Sequence, residues 1–136
     1  MVMKDFFDYH YYRVAKFYYK RDGADATTAL ISVSAVQAWI VINILLFIKE
    51  LFFQDINLKK YGWIIFLIVM VGILIYNNIR YKNKYQELRN RWINENRKDK
   101  TMKGLIIILT IIFSWLLIFI NLLINLFKLL FFLGTK

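Results

Sequence analysis

The only histidine, His10, stands close to Asp5 and Asp8, and imidazole with carboxylates is the usual raw material of a metal site or a general acid–base pair. Asp8 and His10 are two residues apart and fall on different sides of a helix, and their spacing with Asp5 matches no metal-binding pattern. The group is therefore expected to belong to a solvated helix, with no metal ligand, cofactor-binding residue or catalytic residue among it. Cysteine is absent, which excludes disulfides, thiolate nucleophiles and Cys-based metal sites together. Three long apolar runs, 26–48, 61–79 and 104–127, contain no Asp, Glu, His, Lys or Arg, so the proton relay of an ion-coupled transporter is missing as well. The chain is not expected to be an enzyme.

The polar residues with the most informative spacing lie in the third run. Thr110, Ser114, Asn121, Asn125 and Lys128 follow one another at separations that keep them on one helical face. In a bilayer such a stripe must turn toward protein or water, because lipid offers it no hydrogen bonds. It can pack the helices of one monomer, join copies of the chain, or line a water-filled pore. The first run adds Ser34, Gln37, Ala38 and Asn43, small or polar side chains that mark a close-packing face. Trp39 and Trp115 sit near the middle of their runs and are expected to point into protein, with Gln37 and Ser114 as possible indole partners, whereas Trp63 suits an outer aromatic belt.

The elements that would carry these residues follow from composition. The chain has 136 residues, is 60% apolar and 18% aromatic, and holds its apolar residues in those three runs. About 20 apolar residues cross a hydrocarbon core of roughly 30 Å, so each run is long enough to span. The expected fold is all-α: a single membrane domain with three transmembrane helices at 26–48, 61–79 and 104–127. An N-terminal amphipathic interfacial helix covers 1–22, a cytoplasmic extension of the second span covers 80–100, and 128–136 forms an outer-interface tail. No cleavable leader is expected in residues 1–25, which are charged and Tyr-rich. The absence of proline predicts unbroken spans.

Charge sets the orientation. Of the 19 Lys and Arg residues, five precede the first run, three lie in 49–60, nine lie in 80–103, and Lys128 and Lys136 close the chain. The positive-inside rule places the N-terminus and 80–103 in the cytoplasm, with 49–60 and the C-terminus outside. The apolar stretch continues past Lys128 to Leu133, more than a span needs, so Lys128 is expected to snorkel to the outer interface.

Two aromatic stripes with matching spacing lie on the cytoplasmic side. Phe7, Tyr11, Val14 and Tyr18 recur along the first helix, and Tyr81, Tyr85, Leu88 and Trp92 along the extension of the second. They are expected to pack on one another; the alternative is that each lies on the headgroups. Gly23 reads as a C-cap, Asp25 as the N-cap of the first span, and Asp99 or Thr101 as the cap of the third. Residues 80–103 carry nine basic and three acidic side chains, which predicts attraction to anionic lipids without a nucleic-acid partner.

Residues 11–47, YYRVAKFYYKRDGADATTALISVSAVQAWIVINILLF, resemble the start of small multi-pass membrane proteins encoded in AT-rich bacterial genomes, a group without assigned activity. The resemblance implies a bacterial inner membrane and transfers no functional residue. Two function classes fit these features. One is a non-enzymatic membrane protein acting through helix–helix assembly, as a homo-oligomer or as the anchor subunit of a larger complex. The other is an oligomeric pore, holin-like or a toxin or defence effector, that permeabilises the inner membrane.

Overall fold

The structure, a computed structural model, describes the backbone of residues 3–52 and 61–134 and most side chains between Asp5 and Ile120. Residues 53–60, and with them most of the expected outer loop, lie outside the described residues, as do the side chains of Asn121, Asn125 and Lys128. Five α-helices are described: α1 (Met3–Asp22), α2 (Thr27–Phe52), α3 (Gly62–Tyr81), α4 (Tyr85–Trp92) and α5 (Arg97–Gly134). No strand occurs among the described residues. Two of the helices, over Thr27–Lys49 and Gly62–Tyr81, are long and apolar enough to cross a membrane.

A tight turn makes α1 and α2 an antiparallel hairpin. Gly23 adopts the left-handed conformation that ends α1, with φ of 61°, a geometry glycine accepts without a Cβ clash. The cap on α2 comes from Asp22: its carboxylate accepts the Thr28 backbone N–H at 2.7 Å, while Asp25 sits within a short 3-10 turn, Gly23–Asp25. Hydrogen bonds from Thr28 and Arg21 hold the Asp22 carboxyl down at about 2. Asp25 lies inside the turn, and the Asp22 side chain reaches over it to satisfy one of the free N–H groups at the start of α2.

In α1 the five consecutive residues Asp8, Tyr9, His10, Tyr11 and Tyr12 are all buried. At 3.6 residues per turn, five in a row cover the full circumference, so the middle of α1 is enclosed on every side. This differs from the one-sided stripe read in the sequence, in which Phe7, Val14 and Tyr18 are only partly buried. The cover is supplied by α2 and by the later segments, α4 and the start of α5.

α3 does not continue into the basic segment that follows it, as the expected extension of the second span would. Asn83 takes φ of 59°, a left-handed value that Asn tolerates better than most residues, and the chain reverses there. Tyr85 then stacks on Tyr19, ring centroids 5.1 Å apart, and seven residues later Trp92 reaches the rings of Tyr9 and Tyr12. Thus α4 runs back along α1, which an unbroken helix would have overshot. At the next turn Asn96 Oδ1 accepts the Lys98 N–H at 3.4 Å and α5 begins at Arg97, ahead of both Asp99 and Thr101.

The result is a molecule with two unlike ends. A base built from α1, the first half of α2, the end of α3, α4 and the first turns of α5 contains the core of Tyr9, Tyr11, Tyr12, Ala29, Val33, Tyr81, Tyr85, Leu88 and Ile107. Beyond it α2, α3 and α5 extend as arms with their large apolar side chains exposed, including Phe47 and Phe52 on α2, Trp63 and Ile68 on α3, and Phe113 and Phe119 on α5. Burial of each core aromatic contributes about 2–3 kcal/mol, so the order in this protein is concentrated at the base.

Candidate functional site

Two layers of polar contacts cross the base, each made by side chains far apart in sequence. In the upper layer, Asn77 of α3 is fully buried and its amide nitrogen donates to Ser34 Oγ at 3.0 Å and to Gln37 Oε1 at 2.6 Å, both on α2. A second junction joins α2 to α5, where Asn43 donates to the Ser114 carbonyl at 3.3 Å and to the Trp39 carbonyl at 2.8 Å. Small side chains permit these approaches: Ser34 and Ala38 are buried at the contact.

In the lower layer, Asp8 of α1 accepts hydrogen bonds from Arg80 at 2.7 Å and from the Tyr81 hydroxyl at 3.1 Å. Tyr81 also stacks flat on Tyr11, centroids 4.3 Å apart and planes within 6°. From the next residue of α1, on its other flank, the Tyr9 hydroxyl donates to Glu95 at 2.6 Å, and Lys103 pairs with the other oxygen of that carboxylate. Burial, reinforced by Glu95, pushes the Tyr9 phenol up, so it stays a donor. Arg91 of α4 reaches Asp5 at 2.9 Å.

His10 shares a 3.0 Å hydrogen bond with Ser32 through Nε2. Burial lowers its imidazole to about 4, so it is neutral at physiological pH, and its Nδ1 has no hydrogen-bond partner. The three side chains that could have formed a metal or acid–base site are thus pulled apart: Asp5 toward Arg91, Asp8 toward Arg80 and Tyr81, His10 toward Ser32. Among the described residues no group of three His, Asp or Glu side chains is placed to hold a metal ion. These contacts tie α1 to α2, α3, α4 and α5.

The aromatic stripes are placed as follows. Tyr11 meets Tyr81, but Tyr85 and Trp92 are met by Tyr19, Tyr9 and Tyr12, and Leu88 is buried in the same cluster. Phe7, Val14 and Tyr18 take peripheral positions. Along α5, Ser114 is buried and donates to the Ile111 carbonyl at 2.7 Å, and Thr110 donates to the Ile106 carbonyl at 2.9 Å. Both described members of that stripe therefore bond their own helix, and Ser114 also meets α2 through Asn43, while the positions of the Asn121, Asn125 and Lys128 side chains are outside the described residues. Trp39 and Trp115 meet each other at 5.2 Å; Trp115 remains 49% exposed, so it does not point into protein as expected, and Gln37 and Ser114 are engaged elsewhere.

Sequence reasoning passed over Asn77, Asp8 as a partner for Arg80, and the pair Tyr9–Glu95. Asn77 did carry a signal: it is a side-chain amide inside an apolar run, and such a group must turn toward protein. Comparison with protein-family models, with curated proteins and with solved structures finds no match.

Proposed function

We propose that this chain is a multi-pass protein of a bacterial inner membrane that acts by helix–helix assembly, with itself or as the anchor subunit of a larger complex, and without catalysis. Its base lies in the cytoplasm and α2, α3 and α5 cross the bilayer. The observation that carries this reading is the contrast between the two ends. Among the described residues the buried ion pairs and nearly all interior hydrogen bonds belong to the base, whereas the arms expose large apolar side chains. Contiguous apolar surface on that scale needs lipid or another protein to cover it. The exposed cations Lys16, Lys20, Lys82, Arg89, Arg97 and Lys100 all sit on the base, which supports a cytoplasmic orientation and attraction to anionic headgroups. The α1 helix takes the centre of this base and not a headgroup surface.

The test is membrane fractionation followed by native mass of the extracted protein, alone and as the Asn121→Leu/Asn125→Leu variant. The assembly reading expects a membrane-borne protein in a discrete complex. A complex that disperses in the variant puts the stripe between copies and calls for conductance measurements, since a pore would then share that interface. Recovery in the soluble fraction would overturn the membrane reading.

A further inference from the structure

Beside the Asn77 junction α2 and α3 line an open groove of about 820 Å³, within the range of about 300–1,000 Å³ typical of small-ligand sites. Its walls are ordered along the helix axes. Asn77 fixes the level of Ser34 and Gln37, α2 rises from there through Ile40, Val41 and Ile44, and α3, running the other way, rises from Arg80 to Ile73. Arg80 and Lys84 thus occupy the base end of the groove. Ile40, Val41, Ile44 and Ile73 occupy the end that leads along the arms, with Ile73 about 10 Å above Arg80 at 1.5 Å per residue.

Charge within the groove is unbalanced. Arg80 is answered by Asp8 behind it, but Lys84 has no carboxylate among the described residues, and no acidic side chain lines the walls. Lys84 also precedes α4, whose N-terminus no side chain caps, so the helix adds positive potential at the same end. A helix from a second copy seated here would cover Lys84 with apolar surface and strand its charge, which is costly. An amphiphile with a negative head satisfies both ends at once.

We propose that the groove between α2 and α3 is a seat for one anionic membrane phospholipid, its phosphate at Lys84 and Arg80 and its acyl chains along Ile40, Val41, Ile44 and Ile73. The proposal rests on the membrane reading above. Seated there, the lipid fills the open groove between the two helices.

Native mass spectrometry of the full chain, titrated with phosphatidylglycerol and phosphatidylcholine of identical chains, tests the seat. One phosphatidylglycerol should be retained with about a fivefold preference, the effect of roughly one basic group against an anionic headgroup. Lys84→Gln should abolish that preference, and Lys98→Gln, an equal charge change at an exposed position outside the groove, should leave it intact. Ile44→Trp, which narrows the apolar end, should reduce retention of both lipids. Equal retention of the two lipids by the unaltered chain, or equal effects of Lys84→Gln and Lys98→Gln, would overturn the seat. Displacement of the lipid by millimolar inorganic phosphate would overturn it too, by showing a site for the free anion. A membrane-borne protein without lipid preference sinks this inference alone; a protein absent from the membrane fraction sinks the membrane reading with it.

Discussion

Asp8 is the acceptor on which two helices converge, and its side chain and that of Arg80 are only 7% and 16% exposed. Removing one partner strands the other's charge in a desolvated place, a loss of about 3–5 kcal/mol, whereas removing both is far milder. Asp8→Ala and Arg80→Met are each expected to lower the denaturation midpoint in detergent steeply, and the double variant to recover much of the loss; additive losses would mean the two groups do not act as a pair. His10 makes a separate prediction about pH. Its folded value of about 4 lies below the unfolded value near 6.5, so the unfolded chain takes up the proton first. Stability is then unaffected by this group above about pH 6.5 and falls as pH drops toward 4, by about 1 kcal/mol at pH 5.5 and by roughly 3 kcal/mol at the lower limit. His10→Gln should flatten the melting temperature between pH 7.5 and 5.5, and an unchanged slope would locate the pH sensitivity in other groups. None of this was legible in the sequence. Asp8 and Arg80 stand 72 positions apart, and a carboxylate with many possible cationic partners gives no sign of which one the fold selects.

At the scale of elements, periodicity and charge located the apolar helices and the aromatic segments that flank them, because a long uncharged run has few alternatives to a helix. It did not locate the reversal at Asn83. Lys82, Asn83 and Lys84 are acceptable in a helix interior, and only the gain from bringing Tyr85, Leu88 and Trp92 back onto α1 makes the break worthwhile. The left-handed backbone at Asn83 should be kept by Asn83→Gly with little change in stability. Asn83→Val should cost about 1–2 kcal/mol, since a side chain with a branched Cβ crowds the carbonyl in that conformation. Equal melting temperatures for the two variants would argue that the turn is not held as described. The burial of α1 was equally hidden, for a different reason. A tyrosine-rich helix with charges on it fits an interfacial position and a central position alike, and the choice depends on how many neighbours are available to cover it.

At the scale of the whole molecule, the absence of cysteine makes orientation directly measurable. Lys98→Cys marks the base and Leu51→Cys the far end of α2. In intact cells a membrane-impermeant maleimide is expected to label only the second, with the first labelled after permeabilisation. The reverse pattern would invert the orientation, and labelling of both would mean α2 does not cross. The enclosure of α1 also bears on how the protein comes to be built. Residues 8–12 are made well before the later segments that complete their cover, from Asn77 to Ile107, which emerge only after two long apolar helices. Until then Asp8 and Tyr9 wait without Arg80, Tyr81 and Glu95, and those closing contacts span more than half the chain. The middle of α1 is therefore among the last parts of the base to be closed, and it is the stretch that a nascent-chain chaperone or a protease would meet in the interval.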